Sequence, residues 1–141
     1  MKIVVVSGGF DPVHSGHISL FRAAAGLGDR LIVGVNSDEW LTRKKGKPFM
    51  PWIERAEVVN SIRWVDHVLD FDDSDDSACE LLERLKRTWI GRNDEIIFAN
   101  GGDRNSTNNR EAKVEGVKFV YGVGGSNKKN SSSDILKAWK E

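Results

Sequence analysis

Two runs of consecutive apolar, mostly β-branched residues, Lys2–Ser7 and Leu31–Val35, constrain this chain more than any other feature. A strand with one wet face alternates apolar and polar residues, so one that is apolar at successive positions is covered on both faces. Between the runs lie Gly8-Gly9, a helical pattern starting near Gly16 (Ile18, Phe21, Ala24, Ala25, Leu27), and the turn Gly28-Asp29. Strand, glycine-rich turn, helix, turn and strand within about 35 residues make a βαβ unit, whose two strands run parallel.

The alternation continues. A helix is expected from about Trp52 to Trp64, burying Ile53, Ala56, Val59 and Ile62 (or Arg63). A short strand follows at Val68–Phe71, then a helix marked by Cys79, Leu81, Leu82 and Leu85 that ends near Trp89. Glu95–Ala99 and Val117–Tyr121 read as the fourth and fifth strands, and about Ser132–Lys140 as a last helix. This is the pattern of an α/β fold: a five-stranded parallel sheet with helices on both faces, in a single domain over residues 1–141. The segments Ser37–Pro51, Gly101–Asn109 and Gly122–Asn130 read as long loops. Each follows a strand or its helix at the carboxyl edge, where open parallel sheets bind ligands.

Charge and cysteine content narrow the functional classes. With 21 Lys+Arg against 21 Asp+Glu the net charge is zero, which disfavours nucleic-acid or membrane partners held by overall charge, though not a local basic patch. The single cysteine, Cys79, cannot form an internal disulfide, and no ligand set for structural zinc is present. Apolar runs of five or six residues are too short to span a membrane, and the N-terminus reads as a strand rather than a signal peptide. The expected location is the cytoplasm.

The turn after the first strand, Gly8-Gly9-Phe10-Asp11-Pro12-Val13-His14-Ser15-Gly16-His17, is neither a dinucleotide fingerprint nor a P-loop. It sets two histidines three residues apart at a helix start. Both imidazoles then point the same way beside the positive end of the helix, where an anion is favoured and growing phosphoryl charge can be stabilised. A metal site with Asp11 as third ligand and a purely structural pair are the plainer alternatives.

The string GGFDPVHSGH resembles the signature of the nucleotidyltransferase superfamily that carries an HxGH motif on a Rossmann-like sheet. Leu27–Asp38 is similar to the second strand and acidic turn of glycerol-3-phosphate cytidylyltransferases and heptose-phosphate adenylyltransferases. Glu54-Arg55 with Val65-Asp66, Gly101-Gly102-Asp103, and Asn130–Ile135 resemble further family motifs in the family's order. The resemblance implies transfer of a nucleoside monophosphate from an NTP to a phosphorylated alcohol or sugar, with release of pyrophosphate. CTP with a glycerol-phosphate-like acceptor is favoured; ATP with a sugar phosphate, and a nucleotide-binding module without turnover, are the alternatives. It also implies a homodimer, and Mg²⁺ bound mainly through the NTP phosphates, with Asp11 as the one candidate protein ligand.

Carried over residue by residue, the resemblance gives His14, His17 and Lys44 catalytic roles. Nucleotide binding falls to Gly9, Phe10, Asp11, Gly16, Arg55, Gly102, Asp103, Lys128, Lys129, Ser131, Ser132 and Ser133. Asp38, Lys47 and Trp40 face the acceptor, and Trp52 is a second aromatic candidate there. Chemistry agrees on one point: the attacking group is already an ionised phosphate, so no general base is needed. The family's Arg-Thr-Glu-Gly-like run before the seryl signature is replaced by Ser126-Asn127-Lys128-Lys129, where either lysine can supply the cation. Simpler roles stand beside these. Arg43–Lys47 reads as a solvated basic loop, Arg55 as a surface ion pair, Ser131 to Asp134 as a helix cap, and Asp70–Asp76 as a solvated acidic turn. Trp64, Trp89 and Trp139 read as core or interface.

Overall fold

A computed structural model describes residues 1–88, 91, 93–101, 109–124 and 132–140, with only the backbone of 132 and 133. In chain order the elements are β1 (Lys2–Gly8), α1 (Ser15–Ala25), β2 (Arg30–Val35), α2 (Asp38–Lys45), α3 (Trp52–Asn60), β3 (His67–Leu69), α4 (Cys79–Thr88), β4 (Glu95–Ala99), a 3-10 turn (Arg110–Lys113), β5 (Val117–Val120) and α5 (Ser132–Lys140). The strands form one parallel sheet in the order β3-β2-β1-β4-β5.

The apolar run of β1 divides by alternation between two cores. Val4 and Val6 pack with Phe21 and Ala24 of α1 and Val59 of α3. Ile3 and Val5 pack with Leu81, Leu82 and Leu85 of α4 and with Phe98. Both faces of the central strand are dry, as a continuously apolar strand requires. Among the described residues, no helix is long and apolar enough to cross a membrane.

Three elements differ from expectation. The supposed loop after β2 begins as a helix, α2, so Arg43, Lys44 and Lys45 are its last turn rather than a basic loop. Ser37 caps it, Asp38 and Glu39 suit its positive end, and the three cations suit its negative end. Only Leu41 of this helix is buried, too little apolar periodicity to announce it. α3 ends at Asn60 rather than Trp64, and its inner face is turned: Arg55, Ala56 and Val59 are buried while Ile53 is 70% exposed. β3 is displaced toward its N-terminal side, and Phe71 lies against Gly34 in the α4-side core instead of extending the strand.

The sheet builds outward from β1 to β2 and β3, then crosses to place β4 on the other side. The crevice at the carboxyl ends of β1 and β4 is therefore the point where strand order reverses, the usual ligand position in such sheets.

Candidate active site

The chain leaves β1 at Gly8 and turns through Phe10, which adopts φ 52°. Holding a non-glycine residue in the left-handed region costs about 1–3 kcal/mol. Burial of the Phe10 ring, 4% exposed, offsets this. The ring folds back over Gly8, where an added Cβ would stand 2.9 Å from Phe10 Cζ, so only glycine lets it lie there. It meets His17 edge-on at 4.9 Å and Phe21 at 5.2 Å. Phe10 therefore positions His17.

His14 is the N-cap of α1. Its Nδ1 accepts from Gly16 N at 3.1 Å, and His17 Nδ1 accepts from His14 N at 3.2 Å. This is a capping box with imidazoles in place of the usual hydroxyl and carboxylate. The two rings stack at 3.8 Å with 24° between planes. Because each Nδ1 accepts, each neutral ring carries its proton on Nε2 and presents a donor there. The helix start thus sets two parallel imidazole donors beside its positive end, with no acidic residue in its first turn. An anion with several oxygens matches this arrangement.

Asp11 is not placed to hold a metal. Its oxygens accept from Phe49 N at 2.6 Å and Met50 N at 2.7 Å, and Lys45 Nζ lies 2.7 Å away. The carboxylate is 1% exposed and fully engaged. Among the described residues no group of three or more His, Cys, Asp or Glu is disposed around a cation. Lys45, which the sequence did not single out, also donates to Asp11 O at 3.0 Å. Lys44 instead lies over the Trp40 ring at 4.7 Å, and Lys47 is exposed beyond the helix end.

Arg55 has a different task from the phosphate clamp, or the surface ion pair, that was expected. Its side chain is 0% exposed. Nε donates to Met50 O at 2.9 Å, Nη1 to Gly9 O at 2.9 Å and Asn36 O at 2.8 Å, and Nη2 to Asp38 Oδ1 at 2.7 Å. A guanidinium fork spent in this way ties the histidine-bearing turn, the end of β2, the start of α2 and the segment before α3 into one piece. Residue 50 is gripped twice, through its N–H by Asp11 and through its carbonyl by Arg55. Asp38 keeps a 40% exposed side chain beside this bracket.

The acidic run is not simply a solvated turn either. Asp73, 4% exposed, accepts from Asn36 Nδ2 at 2.9 Å and from Ser37 N and Oγ, both at 2.7 Å. It braces the cap of α2, and nothing in the run distinguishes it from its neighbours by sequence. Trp52 does not line an acceptor pocket: its Nε1 donates to Val35 O at 3.0 Å and its ring packs against the α1-side core. Trp139 is 75% exposed and touches Phe49, so it is not core. Of the remaining expected site residues, Gly9 and Gly16 flank the histidine turn. Gly102, Asp103, Lys128, Lys129 and Ser131 lie outside the described residues, as do the side chains of Ser132 and Ser133, whose backbone opens α5.

A family model described as cytidylyltransferase-like matches residues 5–138. The chain is 31% identical over 137 residues to the ethanolamine-phosphate cytidylyltransferase of Arabidopsis thaliana, covering 94% of this chain and 31% of that protein. It is 44% identical over 126 residues to the bifunctional protein HldE of Gluconobacter oxydans, covering 88% and 23%. Against the FAD synthase of Pyrococcus abyssi it is 36% identical over 119 residues, covering 84% and 80%. The chain thus spans less than a third of the first two proteins and four-fifths of the third. The crystal structure of a lipopolysaccharide core biosynthesis protein from Thermoplasma volcanium superposes with a TM-score of 0.65 at 22% identity, over 86% of this chain and 95% of that one. At that identity the likeness establishes the shared fold.

Proposed function

The chain belongs to the cytidylyltransferase-like family, and from that premise we propose that it transfers a nucleoside monophosphate, CMP in the favoured case, from an NTP to a phosphorylated small alcohol or sugar, releasing pyrophosphate. One observation carries the reading: the stacked His14–His17 pair at the start of α1, in the turn that leaves the carboxyl end of β1.

The chemistry asks little of the protein beyond position and charge. The acceptor's phosphate oxygen attacks the α-phosphorus of the NTP in line, the bond to the β-phosphate oxygen breaks, and pyrophosphate departs. Charge grows on the non-bridging oxygens during this step, and fixed donors aimed at it lower the barrier. Two Nε2–H groups and the amide end of α1 supply such donors. The turn holds its shape through Asp11, Lys45 and Arg55, so little reorganisation remains to be done in the transition state.

Mg²⁺ would come as a partner of the triphosphate, whose charge it would neutralise, since Asp11, the carboxylate of the turn, is occupied by the amides of Phe49 and Met50 and by Lys45. Lys44 is proposed as a catalytic cation near the phosphates, and Lys47, Trp40 and Asp38 on the acceptor side. Gly102, Asp103, Lys128, Lys129 and Ser131–Ser133 are proposed around the nucleotide. We place the enzyme in the cytoplasm as a homodimer. The exposed apolar side chains Phe49, Ile53 and Trp139, 51%, 70% and 75% exposed, support association. A monomeric mass by light scattering at micromolar concentration would contradict it.

The deciding experiment sets four NTPs against a panel of phosphorylated alcohols and sugars and reads pyrophosphate release. The expected result is turnover with CTP and a glycerol-phosphate-like acceptor. Release only with ATP moves the assignment to adenylyl transfer. No release with any pair overturns the proposal.

A further inference from the structure

Among the described residues, one buried side-chain donor at the end of β4 has no acceptor. Asn100 follows β4 directly and is 8% exposed; its Nδ2 is shut off from solvent and donates to nothing among the described residues. Buried amide donors without an acceptor are rare, because each costs stability that water would have repaid in the unfolded chain. Asn100 is not loose. Its N–H donates to Val120 O at 2.8 Å, and its carbonyl accepts from Val123 N at 3.0 Å, so its backbone is pinned to the end of β5.

Its place in the sheet gives the orphan donor a direction. The pairing of Val5 with Phe98, continued two residues, sets Asn100 level with Ser7, on neighbouring strands at the reversal of strand order. Along β4, Phe98 faces the α4 core and Ala99 the α1 core, so alternation puts Asn100 on the α4 side. His14 and His17 open α1 on the opposite face. A ligand with its phosphates at the histidines would have to extend its other half across the strand ends to reach Asn100.

We propose that Asn100 is a specificity-determining contact for the nucleoside half of the triphosphate, its amide donating to a carbonyl or ring-nitrogen acceptor of the base. This rests on the nucleotidyltransferase reading. A dry donor is best matched by an acceptor that brings no proton of its own. The base supplies such atoms, whereas the phosphates are already provided for at α1. A site that presents a buried donor also rejects ligands that leave it unpaired.

The test compares Asn100→Leu, which keeps the volume and removes the donor, and Asn100→Ala with the parent. Melting temperature without ligand and calorimetric affinity for CTP, ATP and inorganic tripolyphosphate are measured for each. Asn100→Leu should melt at or above the parent, bind tripolyphosphate like the parent, and lose about tenfold in affinity for the preferred NTP, the value of one ordinary hydrogen bond. Asn100→Ala should lose the same nucleotide affinity, which keeps the test open should the leucine variant fold poorly. Parental NTP affinity in either folded variant overturns the proposal, and so does an equal loss of tripolyphosphate binding. A parent that binds tripolyphosphate but no NTP overturns the nucleotide reading itself, an outcome separate from the failure of Asn100.

Discussion

His14 has two tasks that one substitution can separate. It caps α1 through Nδ1, and in the proposed reaction it donates through Nε2. Alanine removes both. His14→Ala should cost about 1 kcal/mol of stability, as loss of a good cap does, and lower kcat about 10²–10³-fold, as loss of one charge-stabilising donor does. Asparagine is among the best caps but has no imidazole, so His14→Asn should keep the melting temperature and still lose the activity. Equal activity in the asparagine variant and the parent would leave His14 as a cap alone. Arg55 makes the complementary case of a charged side chain that never meets solvent. Arg55→Met leaves the carbonyls of Gly9, Asn36 and Met50 without this donor and Asp38 without its cation. Unpaired buried groups of this kind cost about 3 kcal/mol or more together. Urea titration should show that loss, and turnover in the proposed reaction should fall because Gly9 O no longer anchors the histidine turn. A midpoint within error of the parent would show that the bracket is dispensable.

At the scale of elements, α2 is where sequence reading failed most usefully. Its caps and charge order were all present: Ser37 first, acids next, cations last, Gly46 after. Apolar periodicity was missing, since most of the helix faces water and only Leu41 is buried. Gly46 ends it at φ 98°, with nothing within 4 Å of where a Cβ would stand. Gly46→Ala therefore meets no clash and isolates the backbone cost, expected at about 1 kcal/mol or more. Denaturation at equilibrium measures it, and an unchanged midpoint would mean that the helix end relaxes without penalty. α3 shows the same lesson from the other side. Its helical character was legible, but the apolar pattern pointed Ile53 inward, whereas four carbonyl and carboxylate oxygens offered by separate segments drew Arg55 in and turned Ile53 out.

At the scale of the whole molecule, ligand binding should read out as global stability, since a nucleotide that binds only the folded chain stabilises it by mass action, about 2.7 kcal/mol at a hundredfold excess over Kd. We expect Mg²⁺ with CTP to raise the melting temperature more than Mg²⁺ with ATP; the reverse order would assign adenylyl transfer, and no shift with either would speak against nucleotide binding. Strand number, parallel pairing and coverage of both faces were legible from local chemistry, because a continuously apolar strand and a βαβ rhythm admit few other solutions. The HxGH-like turn was legible too, because its residues are adjacent in the chain and their shared direction follows from helical spacing alone. The state of Asp11, Asp73, Arg55 and Asn100 was not. Apart from Met50, the side-chain partners of the first three lie 17 to 46 residues away, and the Asn100 amide has no acceptor among the described residues. Whether a carboxylate is spent on backbone amides or left for a ligand depends on which segments the sheet brings to one edge, and a linear pattern carries no record of that meeting.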